Sequence, residues 1–170
     1  SMDWKANQDG LFWFMDEVFP LIAARRPDAC VIVIGKNPPP AMIERAKGLN
    51  WRFTGLVDDV RDHAKGAAFI IPLRIGGGTR IKAYEAMAMG LPVVSTALGV
   101  EGLPVAHGEH LLVADEAAAF AEETLRLFDD AALRARLAGA ARSFVEQRFT
   151  HHAAARAFEA HCLEVLGRAR

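Results

Sequence analysis

The chain has 170 residues, 52% of them apolar, and its 20 basic and 21 acidic residues leave a formal net charge of −1. That length and apolar content specify one domain with a substantial core and exclude a disordered segment. The near-zero charge excludes a broad attraction to nucleic acid or anionic lipid, so any anion site has to be local.

Residues from about Asn7 to Ala24 place Leu11, Phe12, Met15, Val18, Phe19 and Ile22 at helical spacing, closed by Pro27 and Asp28. Cys30 to Ile34 (CVIVI) is a short apolar run ended by Gly35, the pattern of a strand covered on both faces in a parallel sheet. Lys36 to Pro40 is a turn, Ala41 to Lys47 a short helix, and Trp51 to Thr54 a second strand ended by Gly55. Asp58 and Asp59 suit the start of a short helix that contains Val60, His63 and Ala64. Ala67 to Leu73 is a third strand, followed by Gly76-Gly77-Gly78 and a helix running to about Met89 and stopped by Gly90. Pro92 to Thr96 and Leu111 to Ala114 supply the fourth and fifth strands. Three helices complete the chain, from Glu116 to Phe128, Ala131 to Gln147 and His151 to Leu166.

Alternation of this kind specifies an α/β domain, a Rossmann-like three-layer αβα arrangement around a mostly parallel sheet. Residues 1–170 form a single unit with no internal repeat or linker. Ligands of such sheets bind beyond the carboxyl ends of the strands, where a turn feeds a helix. No apolar run approaches the roughly 18 residues of a membrane span, and the start lacks a signal-peptide layout. The expectation is a cytoplasmic protein whose two cysteines, Cys30 and Cys162, are buried free thiols.

The segment with chemical content is PLRIGGGTRIKAYE, Pro72 to Glu85. Each glycine costs about 0.5–1 kcal/mol relative to alanine in regular structure, and a simple turn needs only one. Three in a row suit a backbone that must approach a ligand closely, and the helix behind them offers free N–H groups and a positive dipole end. Arg80 and Lys82 fall near the first turn of that helix, where a cation is unfavourable by roughly 0.3–1 kcal/mol unless an anion sits there. Arg74 stands just ahead as a third positive group. A diphosphate held by Gly76, Gly77, Gly78, Thr79, Arg80 and Lys82 fits this pattern. The alternative is a solvated Arg80 and a Lys82–Glu85 surface pair. Neither a Walker loop nor a GxGxxG motif is present.

The run PLRIGGGTRIKAYEAMAMGLPVVSTALGVEGL resembles the donor-binding signature of the group 1 glycosyltransferases of the GT-B fold, in particular a bacterial branch associated with exopolysaccharide and cell-surface sugars. SMDWKANQDGLFWF, FTGLVDDVRDH and EHLLVADEAAAFAEE resemble other parts of that family's C-terminal domain, in the right order along the chain. The resemblance implies a nucleoside-diphosphate sugar as donor, no metal and no cofactor. It implies that Glu85 binds the donor ribose, that Leu56 and Val57 lie against the nucleobase, and that the loop with Gly99 and Glu101 faces the sugar. Relatives carry a second glutamate eight positions before the one matched by Glu85, where this chain has Gly77. They also place an arginine and a lysine after their first strand, where only Lys5 stands nearby; Arg80 and Lys82 are the substitutes that the dipole argument supplies.

Relatives begin this domain with a strand just ahead of the position of Ser1. Their last helix, matched by about residues 151–166, braces an N-terminal domain. The partners implied are therefore a nucleotide-sugar donor and an N-terminal acceptor domain, with no nucleic acid, and with membrane contact only if that other domain supplies it. His107 and His110, and His151 and His152, lack the further donors that a metal site needs. The reading is the donor half of a retaining glycosyltransferase, inactive alone and with no catalytic base of its own. The rivals are a non-catalytic nucleotide- or phosphate-binding module and a nucleotide-sugar epimerase of the same fold.

Overall fold

The computed structural model describes residues 1–168. The expected first helix is three consecutive segments, α1 (Lys5–Trp13), a π-helical turn (Phe14–Val18) and α2 (Phe19–Arg25). Pro20 explains the interruption, since it lacks the N–H that would bond back four residues and its ring collides with the carbonyl there. The widened turn keeps Trp13, Phe14, Val18, Phe19 and Ile22 on the buried face, where they pack with Val94, Leu112, Phe120 and Leu125.

The strands are β1 (Val31–Ile34), β2 (Trp51–Gly55), β3 (Phe69–Ile71), β4 (Val93–Ser95) and β5 (Leu112–Val113). Every strand pair is parallel, β1 with β2, β3 with β4, and β4 with β5. One departure from expectation matters: the strands form two sheets, β1-β2 and β3-β4-β5, rather than one. Neither β1 nor β3 has a strand partner on the side that faces the other.

The helices are α3 (Pro40–Arg45), α4 (Arg61–Ala64), α5 (Ile81–Ala88), α6 (Ala117–Asp129), α7 (Ala131–Arg148) and α8 (His151–Arg168). α4 starts later than expected, because Asp59 accepts the Arg61 N–H at 2.8 Å and clamps the same residue's guanidinium. α7 is capped by Asp130, which accepts the Leu133 N–H at 2.8 Å, an interaction typically worth about 1 kcal/mol. α5 and α7 enclose a second core of Ala83, Ala86, Met87 and Ala141 beneath Ile71, Val93 and Leu111.

Gly10 sets how closely α1 lies on β3. A Cβ there would sit 2.2 Å from the Pro72 carbonyl oxygen, so only glycine lets the helix cross the end of that strand. The expectation of buried thiols fails for Cys30, which is exposed just ahead of β1, and Cys162 is half-buried. The reason for Cys30 is the unpaired edge of β1 beside it. α8 leaves Phe158, Leu163, Val165 and Leu166 exposed.

Candidate functional site

Loops after β1, β2, β3 and β4 gather on one rim of the molecule. The rim is stitched together by the start of the chain. The Met2 N–H donates to the Lys36 carbonyl at 3.0 Å, and Asn37 Nδ2 donates to Asp3. Asn7 Nδ2 donates to the Ser1 carbonyl at 2.6 Å, while Lys82 Nζ donates to Asn7 Oδ1 at 2.5 Å. Asn7 is therefore the link between the first turn of the chain and α5. Nothing in its sequence context signals that role, because the contact joins residues 75 positions apart.

The glycine loop rises from this rim. Residues 74–79 are all exposed, and Gly76 and Gly78 take φ values of 106° and 107° that other residues rarely adopt. Gly76 also lies against α1, since a Cβ there would come within 2.9 Å of Ala6 Cβ. Gly77 and Gly78 have open space where a side chain would be, so their backbone is free to meet a ligand. Thr96 Oγ1 donates to the Leu73 carbonyl, fastening the loop after β4 to the start of the glycine loop.

Arg80 behaves differently from Lys82. It takes a left-handed conformation, φ 48° and ψ 32°, at the residue before α5. Such a conformation costs roughly 1–2 kcal/mol for a residue with a Cβ and persists only where the surroundings enforce it. Its side chain is 4% exposed, with Nη2 donating to Glu101 Oε2 at 2.9 Å, and its buried Nε has no partner. Arg80 thus tucks beneath the loop, so of the two cations expected at the diphosphate only Lys82 is exposed, and the alternative of a solvated Arg80 does not hold. The pairing joins two residues, Arg80 and Glu101, that the sequence had assigned to diphosphate and sugar separately.

Lys82 is exposed and lies in the first turn of α5; burial of its ammonium against α1 pushes its pKa below the ordinary lysine value, and the nearby Glu85 carboxylate partly offsets this. Glu85 is exposed one turn further along the same face of the helix. Among the other expected residues, Leu56 is 83% exposed and Val57 half-buried in the turn after β2, on the same rim. Gly99 is buried in a 3₁₀ turn (Leu98–Val100), where a Cβ would lie 2.3 Å from Ser95 Oγ, and its N–H donates to Thr96. Its backbone is committed to packing, and Glu101 is the member of that loop that projects. Arg74 points away from the loop, 5.5 Å over the Trp13 ring and 4.0 Å from Glu17.

His107 and His110 staple their own loop: Nδ1 of His107 accepts the Val113 N–H at 2.9 Å, and Nδ1 of His110 accepts the Ala106 N–H at 3.2 Å. Among the described residues no group of three or more His, Cys, Asp or Glu side chains converges. No described helix is long and apolar enough to cross a membrane.

Residues 1–130 match the family described as Glycosyl transferases group 1. The chain belongs to that family. An uncharacterized 44.6 kDa protein in the cps region of Klebsiella pneumoniae is 27% identical over 152 residues, which is 84% of this chain and 39% of that protein. This group 1 chain therefore spans about two-fifths of the curated relative it matches. Among solved structures, the C-terminal domain of the glycosyl transferase group 1 protein LpcC from Francisella tularensis superposes with a TM-score of 0.70 at 18% identity, covering 87% of this chain and 82% of that one. Alr3699/HepE from Anabaena, solved in complex with UDP and glucose, gives a TM-score of 0.69 at 18% identity over 88% of this chain and 43% of its own. The fold is thus that of the C-terminal domains of GT-B glycosyltransferases.

Proposed function

We propose that this chain is the donor-binding half of a retaining glycosyltransferase that takes a nucleoside-diphosphate sugar and transfers the sugar to an acceptor held by an N-terminal domain of the longer protein. The observation that carries the reading is the exposed loop Gly76–Thr79, whose backbone is open at Gly77 and Gly78 and stands at the N-terminus of α5 beside Lys82. Phosphate oxygens placed there meet free amides, the helix dipole and one ammonium group. Arg80 adds positive charge from beneath, with its unpartnered Nε as a reserve donor. Glu85 then takes the ribose, Leu56 and Val57 the base, and Glu101 the sugar.

Chemically, these groups stabilise the charge that develops on the diphosphate as the sugar–phosphate bond breaks, and they need no metal or cofactor to do so. The HepE complex with UDP supports a diphosphate on this fold. The cps-region relative supports a cell-surface polysaccharide as the product's destination. α8, with its exposed Phe158, Leu163, Val165 and Leu166, is assigned to bracing the N-terminal domain. The isolated chain transfers no sugar, because it contributes no base or acceptor site, and the working location is the cytoplasm, where nucleotide sugars are made.

Titration calorimetry of the chain with UDP and other nucleoside diphosphates tests this. Lys82→Ala is expected to weaken binding about tenfold, corresponding to roughly 1.4 kcal/mol. Unchanged affinity would remove the basis of the proposal. Gly77, standing where relatives carry a glutamate, favours a second reading as a non-catalytic nucleotide-binding module. Transfer by the longer protein decides between the two.

A further inference from the structure

Lys82 leaves the first turn of α5 and ends on α1, where its Nζ donates to Asn7 Oδ1 at 2.5 Å. Asn7 is held from its other side, because its Nδ2 donates to the Ser1 carbonyl at 2.6 Å. A carbonyl oxygen only accepts and an ammonium only donates, so a single orientation of the amide serves both contacts. The segment that carries Ser1 is itself tied down. The Met2 N–H donates to the Lys36 carbonyl at 3.0 Å, and Gln8 Nε2 donates to the Met2 carbonyl at 2.7 Å.

Three successive residues of α1 therefore meet three parts of the rim. Ala6 lies so close to Gly76 that a Cβ on the glycine would come within 2.9 Å of it. Asn7 reaches Lys82, and Gln8 fastens the segment ahead of the helix. One turn later Gly10 brings the same helix onto the Pro72 carbonyl. The first turns of α1 are thus a common template for the glycine loop and for the ammonium beside it.

We infer that Asn7 is a positioning residue for donor binding, holding the Lys82 ammonium beside the glycine loop while leaving its charge uncompensated. The inference rests on the assignment of Lys82 to the diphosphate. The choice of side chain at position 7 carries it. A lysine ammonium is a point charge on a flexible four-carbon stem, and ordering that stem weakens binding unless it is ordered beforehand. A carboxylate at position 7 would also hold the ammonium, but would cancel its charge and compete with phosphate oxygens. A neutral amide oxygen orders the stem without that competition. Glu85, three residues along α5, acts on Lys82 through charge alone, and burial outweighs it, so the pKa stays below the ordinary lysine value.

A double-substitution cycle on UDP binding, read by titration calorimetry of the chain, tests the inference. Asn7→Ala is expected to weaken UDP binding about fivefold when Lys82 is present and to have no effect in the Lys82→Ala chain. Asn7→Asp is expected to weaken UDP binding about tenfold, as much as Lys82→Ala does. It should at the same time raise the Lys82 pKa, followed through the carbon-13 shift of Cε in labelled lysine. A more tightly held proton together with weaker anion binding is a pairing that a merely structural Asn7 does not produce. An equal loss from Asn7→Ala with and without Lys82 overturns the inference, as does an Asn7→Asp chain that keeps full affinity. If Lys82→Ala leaves UDP binding unchanged, the diphosphate assignment and this inference fall together. If Lys82→Ala weakens binding and Asn7→Ala does not, the positioning role alone falls. Should Asn7→Ala fail to fold, Asn7→Asp, which keeps an oxygen facing Lys82, still decides the matter.

Discussion

β4 and β1 are spelled almost alike, Val93-Val94-Ser95 against Val31-Ile32-Val33-Ile34, yet they sit in unlike surroundings. β4 lies between β3 and β5, and all three of its residues are 0% exposed. β1 has a neighbour on one side only, and of its four residues only Val33 is buried. The difference shows that an apolar strand sequence does not by itself fix burial, which also depends on a strand neighbour on each side.

The comparison can be stressed hardest on the filled half. Gly10→Ala drives a methyl group to within 2.2 Å of the Pro72 oxygen, and backbone cannot move aside as a flexible side chain can. The expected loss is about 2–3 kcal/mol of unfolding free energy in urea. Gly99→Ala, which meets Ser95 Oγ and the Ile71 backbone, should cost a similar amount. A loss below about 0.5 kcal/mol at both sites would show that the β3–β4 half is loosely packed after all.

A pair of truncations then separates the two strands directly. Val94→Ala removes two fully buried methyl groups and should destabilise the chain by about 2 kcal/mol. Ile32→Ala removes more carbon from a half-buried site and should cost only about 1 kcal/mol in this chain. A cost for Ile32→Ala equal to or above that of Val94→Ala would show that β1 is packed as closely as β4.

The same contrast explains which parts of the molecule were legible in the sequence. Strand and helix order, the parallel arrangement and the glycine loop could all be read, because hydrophobic periodicity and turn chemistry are local signals. The break between β1 and β3 could not, since CVIVI and AAFIIPL read as covered strands whether or not the cover is present. Lys82 was legible as a cation in the first turn of α5, where the helix dipole favours an anion. Asn7 and the burial of Arg80 were not, because each depends on contacts between residues distant in the chain. Neither composition nor spacing distinguishes an arginine on a loop from one tucked beneath it. Pro20 was a legible clue to the π-helical turn that the apolar spacing alone concealed.

On the rim the effects are smaller. Glu101→Gln removes the charge that holds Arg80 while keeping the side-chain shape. Since Glu101 is 68% exposed, solvent screens the pair, and stability should change by less than about 1 kcal/mol. Affinity for UDP should rise about threefold, because Arg80 loses its competing anion. A fall in affinity would instead assign Glu101 to the ligand. Lys82 sets the pH response. Its pKa is lowered by burial, so UDP binding should weaken as pH rises through that lowered value, before an ordinary lysine would discharge. Stability of the free chain moves the other way over the same range: the unfolded state holds the proton more tightly there, and stability rises with pH.

The smallest effect belongs to α4. Asp59 has its pKa lowered to about 2, first by the Arg61 side chain and then by the Arg61 N–H. Its folded value lies below the ordinary aspartate value, so its contribution is complete above about pH 4 and is lost as pH falls toward about 2. Within that window the unfolded chain binds more protons, so acid loosens the turn that starts α4. The carboxylate lies at the surface, with 35% of its side chain exposed, and its loss should appear as local fraying well before global unfolding. Asp59→Asn should speed exchange of the Arg61 and Asp62 amides at neutral pH, abolish the acid step at those amides and leave the rest of the chain unchanged. A step that survives the substitution would show that Asp59 is not the titrating group.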